Sequence, residues 1–188
     1  MDPVVALVGL FRVAGSLLVL RWPFWGGVAA IVCDLLDLLL FDLARSVGGW
    51  PGFEGYQVFD KWADQVYLAA FLVVAWQDFP VLARRVAALL WAFRFVGFLG
   101  FEAGVLPREA LIVFPNVFEP WFLAVAFTVR YAPSFRWTAG RSITVLAALL
   151  AGKLVQEWAL HVGRIFDQVT FLGALGSIWD GVTAALRR

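Results

Sequence analysis

The run over residues 24–43 is apolar and long enough to cross a bilayer, yet it carries Asp34, Asp37 and Asp42. Carboxylates in that setting are costly unless a cation or water reaches them, so another part of the fold must come to them. The rest of the chain raises the same problem. Of its 188 residues 62% are hydrophobic and 15% charged, with a mean hydropathy of +0.83. A soluble domain of this size cannot hide so many apolar side chains. The sequence therefore predicts an integral, multi-pass membrane protein with the lipid bilayer as its solvent.

Six apolar segments divide the chain, at residues 4–20, 24–43, 56–76, 86–101, 117–130 and 142–162. They predict an all-α, polytopic protein of about six transmembrane helices over residues 1–164. Residues 165–188 alternate apolar side chains with Asp167, Gln168 and Asp180, the pattern of an interfacial amphipathic tail. Prolines 107, 115 and 120 surround an apolar piece too short to span, which predicts an interfacial or re-entrant turn. Asp78, Pro80, Arg84 and Arg85 read as a loop. Ten Trp fit interfacial anchoring, and a formal net charge of +1 without a basic block excludes nucleic acid as a partner. The one cysteine, Cys33, excludes an internal disulfide or a cysteine-based metal centre.

The chemistry concentrates between Cys33 and Gln65. Asp34 and Asp37 are three apart, and Asp60 and Asp64 four apart, so each pair shares one face of its helix. A Gly/Pro-rich turn separates the two segments. In an antiparallel hairpin the pairs lie at similar depth and four carboxylates converge. Such a cluster demands positive charge, either from bound cations or from the embedded Arg12, Arg45, Lys61, Arg94 and Lys153. Oxygen-only ligands suit a hard divalent ion, and Mg²⁺ or Mn²⁺ is the expected cofactor. An arginine within an apolar helix should face the bundle interior, which is the placement expected for Arg12. Lys153, Glu157 and His161 form a second polar stripe, read as an ion-paired face.

These residues resemble the CDP-alcohol phosphatidyltransferase family, whose signature is D-x2-D-G-x2-A-R followed by G-x3-D-x3-D across the second and third helices. Here Asp34-x2-Asp37, Ala44-Arg45 and Asp60-x3-Asp64 occur in that order. Leu38 and Tyr56 replace two of the glycines, and the stretch from Pro115 to Pro120 stands where the family has a basic run. The carboxylates thus match more closely than the nucleotide pocket. The resemblance implies a membrane phosphotransferase of phospholipid biosynthesis, with a CDP-linked lipid or alcohol as donor and a hydroxyl as acceptor. It implies Asp34, Asp37, Asp60 and Asp64 as metal ligands, Asp64 also as the catalytic base, and Arg45, Arg94 and Arg12 as phosphate ligands. A second class fits the same residues: a non-catalytic homologue or membrane-complex subunit whose acids pair with arginines. Its Trp-rich surface would bind another membrane protein or lipid, and a homodimer is the other assembly expected.

Overall fold

A computed structural model of the protein describes residues 2–52, 54–107 and 113–161. Among these residues there are six α-helices and no strand. They are α1 (Pro3–Leu17), α2 (Pro23–Gly48), α3 (Tyr56–Asp78), α4 (Val81–Glu102), α5 (Phe118–Tyr131) and α6 (Ala139–His161), with a 3₁₀ turn at Leu18–Leu20. The chain divides into two compact units, Met1–Lys153 and Leu154–Arg188. The tail expected at 165–188 lies outside the described residues, as do the side chains of Glu157 and His161.

Prolines and glycines set most of the boundaries. Pro23 opens α2 with its fixed φ, and Gly49, at φ +63°, closes it in the left-handed conformation that a side chain would resist. Pro80 holds Phe79 extended, which ends α3 and starts α4 immediately afterwards. As a consequence Arg84 and Arg85 lie in the first turns of α4 and not in a loop. Pro120 is accepted in the first turn of α5, where no intrahelical partner is needed, so that helix starts cleanly at Phe118. Part of the expected re-entrant turn, residues 108–112, lies outside the described residues. Its flanks pack on α4, with Phe114 against Gly97 and Leu106 against Gly100. Those glycines admit the connecting segment instead of a neighbouring helix.

Aromatic side chains from α3 and α5 form the main core, in which Phe71, Phe118, Trp121 and Phe122 are fully buried. Phe71 and Phe122 stack with ring centroids 4.1 Å apart, and the indole N–H of Trp121 donates to the Ala83 carbonyl at 3.1 Å. A smaller core joins Val5 and Val8 of α1 to Phe41 of α2, with Trp50 and Phe59 packed against it. Two glycines let α2 pack closely on α1 and on the 3₁₀ turn that follows it. A methyl group on Gly15 would lie 2.5 Å from Cys33 Sγ, and one on Gly26 would lie 2.4 Å from the Leu18 carbonyl.

Within the described residues one helical stretch, Pro3–Leu20, is long and apolar enough to cross a membrane. The other helices carry ionised side chains along their length, and α5 has only 14 residues.

The N-terminus of α1 is tied down by Asp2. Its Oδ1 accepts the backbone N–H of Val4 at 2.8 Å and of Val5 at 3.4 Å, and its Oδ2 accepts the indole N–H of Trp50 at 2.8 Å. The bond from Trp50, reinforced by the two backbone donors, holds the Asp2 carboxyl below the usual carboxylate range. A carboxyl that is more acidic in the folded state stabilises the fold above its unfolded pKa and loses that contribution as pH falls through the folded value. Thermal unfolding measured from neutral pH into the acid range should therefore show a loss of stability in wild type that is reduced in Asp2→Asn. Gly26→Ala should cost about 1–3 kcal/mol, because backbone cannot yield as a side chain can. Gly152→Ala, which meets open space on α6, should be neutral or stabilising. Melting temperatures of the two variants, measured in the same detergent, check the contrast.

Candidate metal and phosphotransfer site

Three helices build the site. On α1 the buried stripe Val5, Val8, Arg12, Gly15 and Ser16 faces α2, so Arg12 points inward with 3% of its surface exposed. Ser16 Oγ donates to the Arg12 carbonyl at 2.7 Å and firms this turn. On α2, Asp34 and Asp37 project from one face toward α1, and Asp37 is 1% exposed. On α3, Asp60 and Asp64 project from successive turns into the same space.

All four carboxylates meet at the Arg12 guanidinium. Nη1 donates to Asp37 Oδ2 at 2.7 Å and to Asp60 Oδ1 at 3.0 Å, while Nη2 donates to Asp64 Oδ1 at 2.8 Å and to Asp34 Oδ1. Lys61 adds a second cation, with Nζ 2.8 Å from Asp60 Oδ2 and 4.0 Å from Asp64 Oδ2. Asp34 and Asp60 retain part of their side-chain surface while Asp37 and Arg12 are buried, so the cluster opens on the Asp34–Asp60 side. Two cations face four carboxylates. With all four carboxylates ionised, these six groups would carry two more negative charges than positive, in a setting where unpaired charge is expensive.

One oxygen each from Asp34, Asp37 and Asp60 lies within 4.8 Å of the other two, close enough for a single ion to span them. The donors are all hard oxygen atoms, which fits Mg²⁺ or Mn²⁺ and excludes a preference for softer metals. The guanidinium shows where in the fold positive charge is required.

The three arginines expected at phosphate are placed differently from one another. Arg12 has both terminal nitrogens committed to carboxylates. Arg45 lies beyond the cluster in the last turn of α2, exposed, with its guanidinium 6.0 Å from the centre of the Trp50 ring. Arg94 donates to the Phe114 carbonyl at 2.8 Å and holds the segment before α5 against α4. Neither Arg45 nor Arg94 pairs with the four aspartates, because their positions on α2 and α4 direct them to local acceptors.

The polar stripe on α3 continues one turn beyond the aspartates. Tyr67, 3% exposed, donates its hydroxyl to Glu119 Oε1, which also accepts from Asn116 Nδ2 at 2.7 Å. Arg94 and Lys153 are near enough to act electrostatically on Glu119. Asn116 Oδ1 is buried without a hydrogen-bond partner. Neither Tyr67 nor Glu119 is among the site residues expected from the sequence. The signal was present: Tyr67 follows Asp60 by seven residues and Asp64 by three, so it shares their helix face.

Compared with family profiles, curated proteins and solved structures, the chain matches none of them.

Removing the central guanidinium while keeping the acids leaves buried like charges facing one another. Arg12→Met should cost about 3–5 kcal/mol, the usual penalty for breaking one side of a buried ion pair. Adding Asp60→Asn and Asp64→Asn to Arg12→Met should recover part of that loss. Unfolding in a fixed detergent of Arg12→Met, of the Asp60→Asn/Asp64→Asn pair and of all three together measures the coupling between the arginine and that pair.

Proposed function

We propose that the chain is a multi-pass membrane protein and acts as a divalent-cation-dependent phosphotransferase of the CDP-alcohol type. The convergence of four aspartates from α2 and α3 on one cation position, with negative charge left over, carries the proposal. The motif spacing described above supplies the link to that reaction class.

Surface and length support the membrane reading. Large apolar side chains point outward from several helices, with Leu7 68%, Leu35 66%, Leu89 71% and Ile143 68% exposed. Apolar surface spread over many helices exceeds what a soluble monomer leaves to water. At 1.5 Å per residue, α2, α3, α4 and α6 are each longer than the ~30 Å hydrocarbon core. The four clustered aspartates of α2 and α3 turn inward, Arg84, Arg85, Glu102 and Arg141 lie near helix ends, and Arg94 and Lys153, inside α4 and α6, act on the half-buried Glu119, an arrangement a bilayer tolerates.

Asp34, Asp37 and Asp60 would hold the cation, with Asp64 sharing it. When bound, Mg²⁺ or Mn²⁺ supplies positive charge to the phosphate oxygens. In the reaction the acceptor oxygen forms a bond to the phosphorus that bears the alcohol, and the bond from that phosphorus to CMP breaks. The acceptor's proton passes to the Asp64 carboxylate, buried two turns into α3 behind the more open Asp34 and Asp60. Lys61, beside Asp60 and Asp64, is placed to limit the negative charge of that pair.

The second reading is a non-catalytic subunit, and one observation favours it: Arg12 already bonds all four acids. The two readings part on divalent metal. In the phosphotransferase, millimolar Mg²⁺ or Mn²⁺ raises the melting temperature of the purified protein, by about 2.7 kcal/mol of stability at a hundredfold excess over Kd. Asp64→Asn keeps the fold and stops CMP release from a CDP-linked donor. A protein indifferent to both metals, with Asp64→Asn unchanged from wild type, is the non-catalytic subunit.

A further inference from the structure

At the end of the bundle away from the Asp2–Trp50 contact, the turn before α2, the start of α2 and the ends of α3 and α5 line an open cavity of about 600 Å³. Arg21, Arg130, Trp22, Trp25, Asp78 and Phe79 line it. Trp22 and Trp25 are more than half exposed, and the Trp25 indole N–H donates to the Tyr131 hydroxyl at 2.7 Å, which fixes its ring at the rim. Four more arginines stand on elements at this end: Arg84 and Arg85 early in α4, Arg136 in the α5–α6 connection and Arg141 early in α6.

These cations are not used up by protein acids. Asp78 is the one acid on the described residues of this end, and neither Arg21 nor Arg130 forms an ion pair among the described residues. Arg84 instead lies over the Trp76 ring and donates to the Trp76 carbonyl at 3.0 Å, and Arg141 lies over the Phe135 ring. Arginine presents paired donors that match phosphate oxygens, and exposed Trp rings favour the depth of lipid headgroups. From this charge complementarity we infer that the cavity is a binding site for the headgroup of an anionic phospholipid, its phosphodiester held between Arg21 and Arg130 beside Trp22 and Trp25. Neither the four aspartates nor the proposed phosphotransfer requires this site. It does rest on the multi-pass reading of the chain.

The test uses the full chain purified in detergent, with thermal unfolding followed against short-chain phosphatidylglycerol, short-chain phosphatidylcholine and inorganic phosphate. Phosphatidylglycerol should raise the melting temperature, with phosphatidylcholine well behind and phosphate without effect at the same concentration. Arg21→Gln with Arg130→Gln should need about thirtyfold more phosphatidylglycerol for the same shift, the loss of two surface arginines' attraction, while its response to Mg²⁺ stays that of wild type. Equal shifts with the two lipids, a shift reproduced by phosphate alone, or a double variant with wild-type lipid response would each overturn the site. Alkaline carbonate extraction of membranes separates the two levels. Release of the chain would remove the membrane reading and the lipid site with it, whereas retention without a phosphatidylglycerol shift would remove the lipid site alone.

Discussion

A single guanidinium held by four carboxylates is the constraint on which the rest of this fold depends. Arg12 comes from α1 and its partners from α2 and α3, so the ion cluster joins three helices at one buried point. These interhelical polar contacts fix which faces of the three helices meet. The close approach at Gly15 and Gly26 serves the same end, because it brings α1 near enough for the Arg12 side chain to reach past Cys33 to both acidic helices. Apolar packing between α3 and α5 supplies rigidity behind the site, with Phe71 against Phe118 and Phe122 directly beyond Tyr67.

That arrangement is also electrostatically incomplete. Replacing a buried ion cluster with apolar residues is often neutral or stabilising, so the cluster by itself is weak evidence of stability. Four acids gathered for one arginine and one lysine hold more negative charge than a structural counter-ion needs. The Tyr67–Glu119–Asn116 group extends the polar region along α3 toward α5, and Arg94 and Lys153 act on it from two further helices. The interior thus holds two polar groups one helical turn apart on α3, the acidic one open beside Asp34 and Asp60.

Much of this was legible in the residues. The spacings of three and four put each aspartate pair on one helix face whatever the tertiary fold, and an arginine amid Val, Leu and Phe had to turn inward. Apolar run length located all six helices. What escaped were relations with no local mark. Nothing near Tyr67 or Glu119 announces a bond across 52 positions. Arg94 and Arg45 look equivalent to Arg12 in sequence, yet one finds a backbone carbonyl and the other an indole ring, because partner choice depends on neighbouring helices. Arg84 and Arg85 looked like loop residues because charge was weighed over the helix-starting effect of Pro80. The six-span topology is a harder inference, since the buried charges that give the chain its chemistry also lower the hydropathy of the helices that carry them.

Direct observation of bound Mn²⁺ is the simplest test of whether the four aspartates form a cation site. Electron paramagnetic resonance of purified protein titrated with Mn²⁺ should show the free-ion signal suppressed to saturation in wild type and restored in Asp37→Asn and Asp60→Asn. A free Mn²⁺ signal that grows from the first addition, identical in wild type and both variants, would contradict it.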